Sequence, residues 1–534
     1  MRTSIRALFA ATALGALATS ACGGRDPVWD DSAAGQVQAL GLEASVALVD
    51  RGAGRLLMLP VEAGQKLAPT SIPLPEGFAK AAVTADRKHL LALSRGVVPR
   101  RRAGEAGPAA VVVSGGPDPS VEHTFDLSDP LSGVALDPES QFAVLYPTAA
   151  DSPFLENPNE LVLLDLTRGA ASDNPTPRTL RSFGGTPEQF LFTPTLELPG
   201  GPTRLLVVGT DRDVSLLDLG RLSQPEITVR LTGGSTSVTP AGLVVSDGEP
   251  GKEDDARVAV RVASDSNVYL VDLLPVAAAD AAAAVQPYRA VPNVVFVGGT
   301  PSDLAFVRTD GGLRLAAVVP SKSALTLVDP VTGMATDVPL GAPYTRISLV
   351  TDVVGEGQDG SDVALLWSDQ LESLAFVALG ATVGKPYKSV ETLTLPAPVS
   401  EVVDVPAPNR HLKVLGAPRR TSFTVLDLKA RTAAPLVASA TDTEVRVAPD
   451  GRRSWFFSAG YGQLAVTDLA TLHPKNFVLS HPITDVFDVA RRDGGRALVA
   501  LHSIGAGSVT VLDAQSPSLT TAREVAGLLQ GGLP

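Results

Sequence analysis

The sequence contains one cysteine, Cys22, in 534 residues. No intramolecular disulfide can form, so core burial and backbone hydrogen bonds must hold the fold. Histidine is almost as scarce. There are six, His89, His123, His411, His473, His481 and His502, and none forms a metal-spacing pair. A C-x-x-C site is impossible, and there is no H-E-x-x-H, G-x-S-x-G elbow or P-loop. Aromatic residues are 5% of the chain, which leaves few stacking platforms for sugars. Positive charge is in deficit: 44 Lys and Arg against 57 Asp and Glu give a net charge of −13. That balance argues against nucleic acid as a partner. The one basic run, Arg100, Arg101 and Arg102, sits beside Pro99 and Gly104 and reads as a solvated loop. Long apolar runs are also missing. The longest candidate, Ala7 to Leu17, is too short for a helix to cross a bilayer of ~30 Å at ~1.5 Å per residue.

That short run belongs to a leader. Arg2 and Arg6 precede it, and Thr19, Ser20 and Ala21 follow with small side chains that end at Cys22. The pattern resembles bacterial lipoprotein leaders, although Thr19 stands where that family usually has leucine. The resemblance covers residues 1–22 and implies cleavage after Ala21 and a lipid on Cys22. Gly23, in place of aspartate, implies sorting to the outer membrane. The other reading is a secretory signal cut after Ala21, with a periplasmic or secreted product and Cys22 left as a thiol. Residues 22–42 then form a tether, with Trp29 on it, and residues 43–534 the folded domain.

What is abundant is turn residues and short apolar strands. There are 49 glycines and 43 prolines, and 44% of residues are hydrophobic. Such a mixture suits many short strands joined by tight turns. Apolar strands ending in aspartate recur as LVLLDL (161–166), VSLLDL (214–219), VYLVDL (268–273), LTLVDP (325–330), FTVLDL (423–428), LAVTDL (464–469) and VTVLDA (509–514). Their aspartates are Asp165, Asp218, Asp272, Asp329, Asp427, Asp468 and Asp513. Degenerate copies lie at 55–61, 110–116 and 373–379. A repeat of 40 to 57 residues marks a propeller or related array, because one such unit cannot bury both faces of its sheet. The fullest unit, 443–474, reads as strand Glu444 to Ala448, turn Pro449-Asp450-Gly451, strand Ser454 to Ser458, then the aspartate strand.

Several of these elements recur in order from about residue 40 to 520, and there the chain resembles the YVTN or lactonase-like (WD40-like) bacterial β-propeller repeats. The resemblance implies an all-β fold, a single propeller of seven to ten four-stranded blades. On the sequence pattern the first unit lacks its innermost strand, and the tail carrying Val525, Leu528 and Leu529 is expected to supply it, so that N- and C-terminal strands close the fold. A residue that recurs in every blade is expected to form turns, through backbone N–H bonds to its carboxylate, rather than to catalyse.

No catalytic or metal-binding residue is predicted. Lactonase-like propellers carry carboxylates and histidine or asparagine on loops entering the innermost strands. The corresponding positions here, Ala79, Leu131, Pro187, Ser302, Arg346, Glu401, Thr443 and Thr484, include one acid. Two acidic loops, Asp247 to Asp255 and Gly355 to Asp362, cluster oxygen donors of the kind Ca²⁺ takes, without EF-hand spacing; otherwise no cofactor is expected. The expected function is a lipid-anchored cell-envelope scaffold, non-catalytic, that engages another envelope protein or an extracellular polymer. The alternatives are a channel-face hydrolase or lyase and a small-molecule or carbohydrate sensor.

Overall fold

The computed structural model describes residues 37–155, 157–169, 171, 173–180, 186–231, 238–249, 251–253, 255–277, 286–309, 311–350, 363–381, 389–417, 422–437, 443–502 and 507–529. Cys22, Trp29, the loop 355–362 and Asp254 lie outside them. Among the described residues the chain forms ten four-stranded antiparallel sheets, the blades of a β-propeller. In chain order they occupy 37–73, 78–126, 133–179, 187–230, 240–296, 303–339, 346–394, 401–437, 443–478 and 483–526, and are numbered blades 1 to 10. Each is a meander in sequence order. Among the described residues only blade 4 is interrupted, by a hairpin of Leu196–Leu198 with Gly201–Thr203 between its first and second strands. No helix of the described residues is long and apolar enough to cross a membrane.

Two compact units result. One holds blades 1 and 10 with the loop 115–119, and the other holds blades 2 to 9. Within the larger unit the first strands of neighbouring blades lie side by side, as Pro240–Ser246 does beside Asp303–Thr309 and that strand beside Arg346–Val350. The first strand of each such blade is therefore the inner one.

Strand periodicity explains why the aspartate strands are apolar on both faces. In blade 3, Ala143, Leu145, Val162 and Leu164 join Leu91, Leu93 and Val112 of blade 2 in one core. The alternate residues Phe142, Val144, Leu161 and Leu163 join Leu206, Val208 and Leu217 of blade 4 in the next. Successive side chains point to opposite faces, so a strand sandwiched between two sheets must be hydrophobic throughout. In the smaller unit Val46, Leu48, Leu57 and Leu59 of blade 1 share a core with Val499, Leu501, Val509 and Val511 of blade 10.

Two expectations are corrected. The first blade does not lack a strand: Val37–Gly41, in the segment assigned to the tether, pairs with Ser45–Asp50. Nor does the tail complete blade 1. Arg523–Ala526 pairs with Ser508–Asp513 as the outer strand of its own blade, because the preceding strand offers a nearer hydrogen-bonding edge. Leu528 still reaches the core shared by the two blades.

Candidate functional site

Six of the seven recurring aspartates sit where the third strand of a blade leaves the sheet and close the turn that follows, whereas Asp272 lies within Asn267–Pro275, opposite Val291. Asp427 Oδ1 accepts the N–H groups of Lys429 (2.8 Å) and Ala430 (2.9 Å). Asp468 does the same for Ala470 and Thr471, Asp513 for Gln515 and Ser516, and Asp329 for Val331 and Thr332. Asp165 receives the Thr167 N–H and hydroxyl, and Asp218 the Gly220 N–H and the Thr203 hydroxyl. Asp272 instead takes Arg257 Nε at 2.8 Å. Burial alone would raise the Asp329 carboxyl, but the N–H groups of Thr332 and Val331 and the charge of Arg314 outweigh it and hold its pKa below the usual value.

Buried ion pairs stitch blades together in the larger unit. Arg204 of blade 4 makes a bidentate pair with the fully buried Asp137 of blade 3, at 2.6 and 2.9 Å. Arg95 Nε of blade 2 donates to Asp151 Oδ1 at 2.6 Å, and Asp151, also fully buried, takes the Thr148 and Ser132 N–H groups. Glycine has one indispensable place in these joints. Gly451, in the Asp450-Gly451 turn of blade 9, has φ +63°, and a Cβ there would lie 2.1 Å from the Pro406 carbonyl oxygen.

At the inner strands, Glu401 is exposed at the start of its strand, and Arg346 and Thr484 are exposed in theirs. Four further acids with partners lie one to four residues beyond the expected positions. Asp303 Oδ2 accepts the Ile347 N–H (3.1 Å), Asp404 pairs with Lys413, Glu444 with Arg446, and Asp488 with Arg496. Alternation along a strand moved these acids off the positions that the repeat frame marks. Among the described residues no group of three or more His, Cys, Asp or Glu side chains is arranged to hold a metal ion. In the first acidic loop, Asp247 takes the Glu197 N–H, Asp255 the Glu249 N–H, and Glu249 pairs with Lys252. The basic run closes on its own loop: Glu105 accepts the N–H groups of Arg101 and Arg102, and its carbonyl takes Arg100 Nη2.

The histidines are mostly local. His89 lies 3.3 Å from Glu122, and His473 Nδ1 contacts the Thr471 carbonyl. One pairing escaped the sequence. The rings of His481 and His502 meet edge to face at 5.6 Å, with His481 on Glu524 and His502 Nε2 on the Thr510 hydroxyl at 2.7 Å. Burial lowers the His502 pKa below its usual value.

A cavity lined by charged and apolar side chains lies in the larger unit, between blades 2 and 3. About 410 Å³ is bounded by Arg95, Arg100, Asp129, Phe154 and several prolines. Residues 34 apart in sequence meet there, and no spacing rule marks them.

No family model matches the chain, and no curated protein matches it either. Solved structures do. The dihydro-heme d1 dehydrogenase NirN shares 12% identity over 79% of this chain and 78% of its own, at a TM-score of 0.43. The Dos1 propeller shares 15% over 71% and 90% at 0.39. AztD from Citrobacter koseri shares 11% over 71% and 94% at 0.37. At these values each is a structural resemblance and carries no function across.

Proposed function

We propose that this chain is a non-catalytic binding or assembly scaffold of the cell envelope, held to its membrane by a lipid on Cys22. The observation that carries the reading is the employment of the repeated carboxylates. Seven aspartates recur, and each spends its carboxylate on a turn or a neighbouring guanidinium. Four inner-strand acids, Asp303, Asp404, Glu444 and Asp488, are likewise engaged by a backbone N–H group, lysine or arginine. A general acid or base must reach a substrate proton, and a metal ligand must offer its lone pair to the ion; a carboxylate that closes a turn or holds a guanidinium is poorly placed for either. The leader and the sole cysteine support the anchor.

In-cell crosslinking of the full-length chain in its own host, followed by capture from solubilised envelope, tests this. A stoichiometric envelope partner that is lost with Cys22→Ala is the expected outcome. Lactone or ester hydrolysis by the purified protein with added divalent metal, without any captured partner, would overturn it in favour of the hydrolase alternative.

A further inference from the structure

We infer that the cavity between blades 2 and 3 is a binding site for a small zwitterion with an apolar body, of the kind a free apolar amino acid presents. The inference stands apart from the anchor and the envelope partner. Its volume, about 410 Å³, falls within the ~300–1,000 Å³ of small-molecule sites. Its walls are the rings of Pro99, Pro130 and Pro153 with Val98, Phe154 and Leu155. Phe154 is 41% exposed.

Asp129 supplies the sign of the ligand. The residue is 5% exposed and lines the cavity. Neighbouring carboxylates are satisfied: Asp151 by Arg95 and Thr148, Asp137 by Arg204, Glu160 by the Ser128 hydroxyl. The carboxylate of Asp129 has no hydrogen-bond or ionic partner among the described residues. Burying an ionised carboxylate in that condition is costly unless a donor reaches it from the cavity.

The cations complete the pattern. Arg95 is held by the buried Asp151, which offsets its charge and fixes its guanidinium at the cavity wall. Arg100, an exposed residue of the lining, donates through Nη2 to the Glu105 carbonyl and forms no ion pair among the described residues. One carboxylate and one guanidinium without an ion-pair partner therefore line one largely apolar cavity. An ammonium fits Asp129, a carboxylate fits the planar donor fork of Arg100, and an aliphatic or aromatic side chain fits the proline and Phe154 walls.

Isothermal titration of the full-length protein tests the assignment, with L-leucine and L-phenylalanine as probes against isoamylamine and 4-methylpentanoate. Saturable binding of the amino acids is expected, weakened about tenfold or more in either single-charge analogue. Asp129→Asn should lower amino-acid affinity by about tenfold. Arg100→Ala, at an exposed position that leaves the fold intact, should do likewise and reports even if the buried variant fails to fold. No saturable heat up to ~10 mM, equal binding of a single-charge analogue, or unchanged affinity in Arg100→Ala would overturn it.

Discussion

Arg204 reaches across from blade 4 to grip both oxygens of Asp137 in blade 3, at 2.6 and 2.9 Å, and Asp137 is wholly removed from solvent. Burial alone would raise the Asp137 carboxyl. The guanidinium and the N–H groups of Glu139 and Gln141 outweigh that effect and hold the pKa below its ordinary value. Removing one member leaves the other as a buried, unpaired charge. Arg204→Ala should therefore cost about 3–5 kcal/mol in denaturant unfolding, and Arg204→Lys most of that, since a point charge cannot satisfy two oxygens. A loss under about 1 kcal/mol would assign the joint to apolar packing alone.

Acid should act through the same groups. Asp137 and Asp151 both have depressed folded-state values. For such groups the stabilisation is complete above the unfolded pKa of about 3.9 and is lost as pH falls through the still lower folded value. Unfolding followed between pH 5 and 2 should show stability falling below about pH 4. In Arg204→Ala that slope should shrink, because the depressed carboxyl of Asp137 loses its principal partner.

His502 predicts a separate step at milder pH. It is buried, its Nε2 engages Thr510, and His481 and Glu524 face it. Desolvation lowers its folded pKa, so the unfolded chain binds a proton that the folded chain refuses. Stability should decline as pH drops below about 6.5. His502→Gln should flatten the stability profile between pH 7 and 5; an unaltered profile would exclude His502 as its source.

Two glycines separate backbone strain from steric conflict. Gly54 and Gly451 have nearly the same φ, +62° and +63°. A Cβ at Gly54 meets nothing within 4 Å, whereas at Gly451 it strikes the Pro406 carbonyl. Gly54→Ala should cost about 1–2 kcal/mol from the left-handed backbone, and Gly451→Ala appreciably more. Equal costs would show that the blade 8 to blade 9 joint yields without penalty.

The repeated aspartates predict a modest effect. Asp427→Ala leaves two turn N–H groups to solvent and should cost about 1–3 kcal/mol, while Asp427→Asn, which keeps an acceptor oxygen, should cost less. Chemical denaturation of the two variants distinguishes turn closure from a purely electrostatic role.

Much of this architecture was legible because strands buried on two faces announce themselves. Leu161, Val162, Leu163 and Leu164 leave no polar position, and the aspartate after them marks the exit. The edges were less legible. Val37–Gly41 is only partly buried and contains Gln38, so it resembles a tether. The outer strands Thr176–Thr179 and Thr432–Val437 contain proline, which an edge strand tolerates and a central strand does not. The cavity was not legible, since Arg95, Asp129 and Phe154 come from separate connections and share no period. The inner-strand acids were missed by a few residues, because strand alternation rather than repeat phase sets which side chain faces inward.

The reading as an anchored scaffold depends most directly on the state of Cys22. Intact-mass and N-terminal peptide analysis of the protein purified from its own host's envelope decides it. The account predicts a mature chain that begins at Cys22 and carries acyl and diacylglyceryl mass, with the Cys22→Ala form released from the membrane fraction. An unmodified Cys22 in a protein that does not sediment with membranes would contradict it.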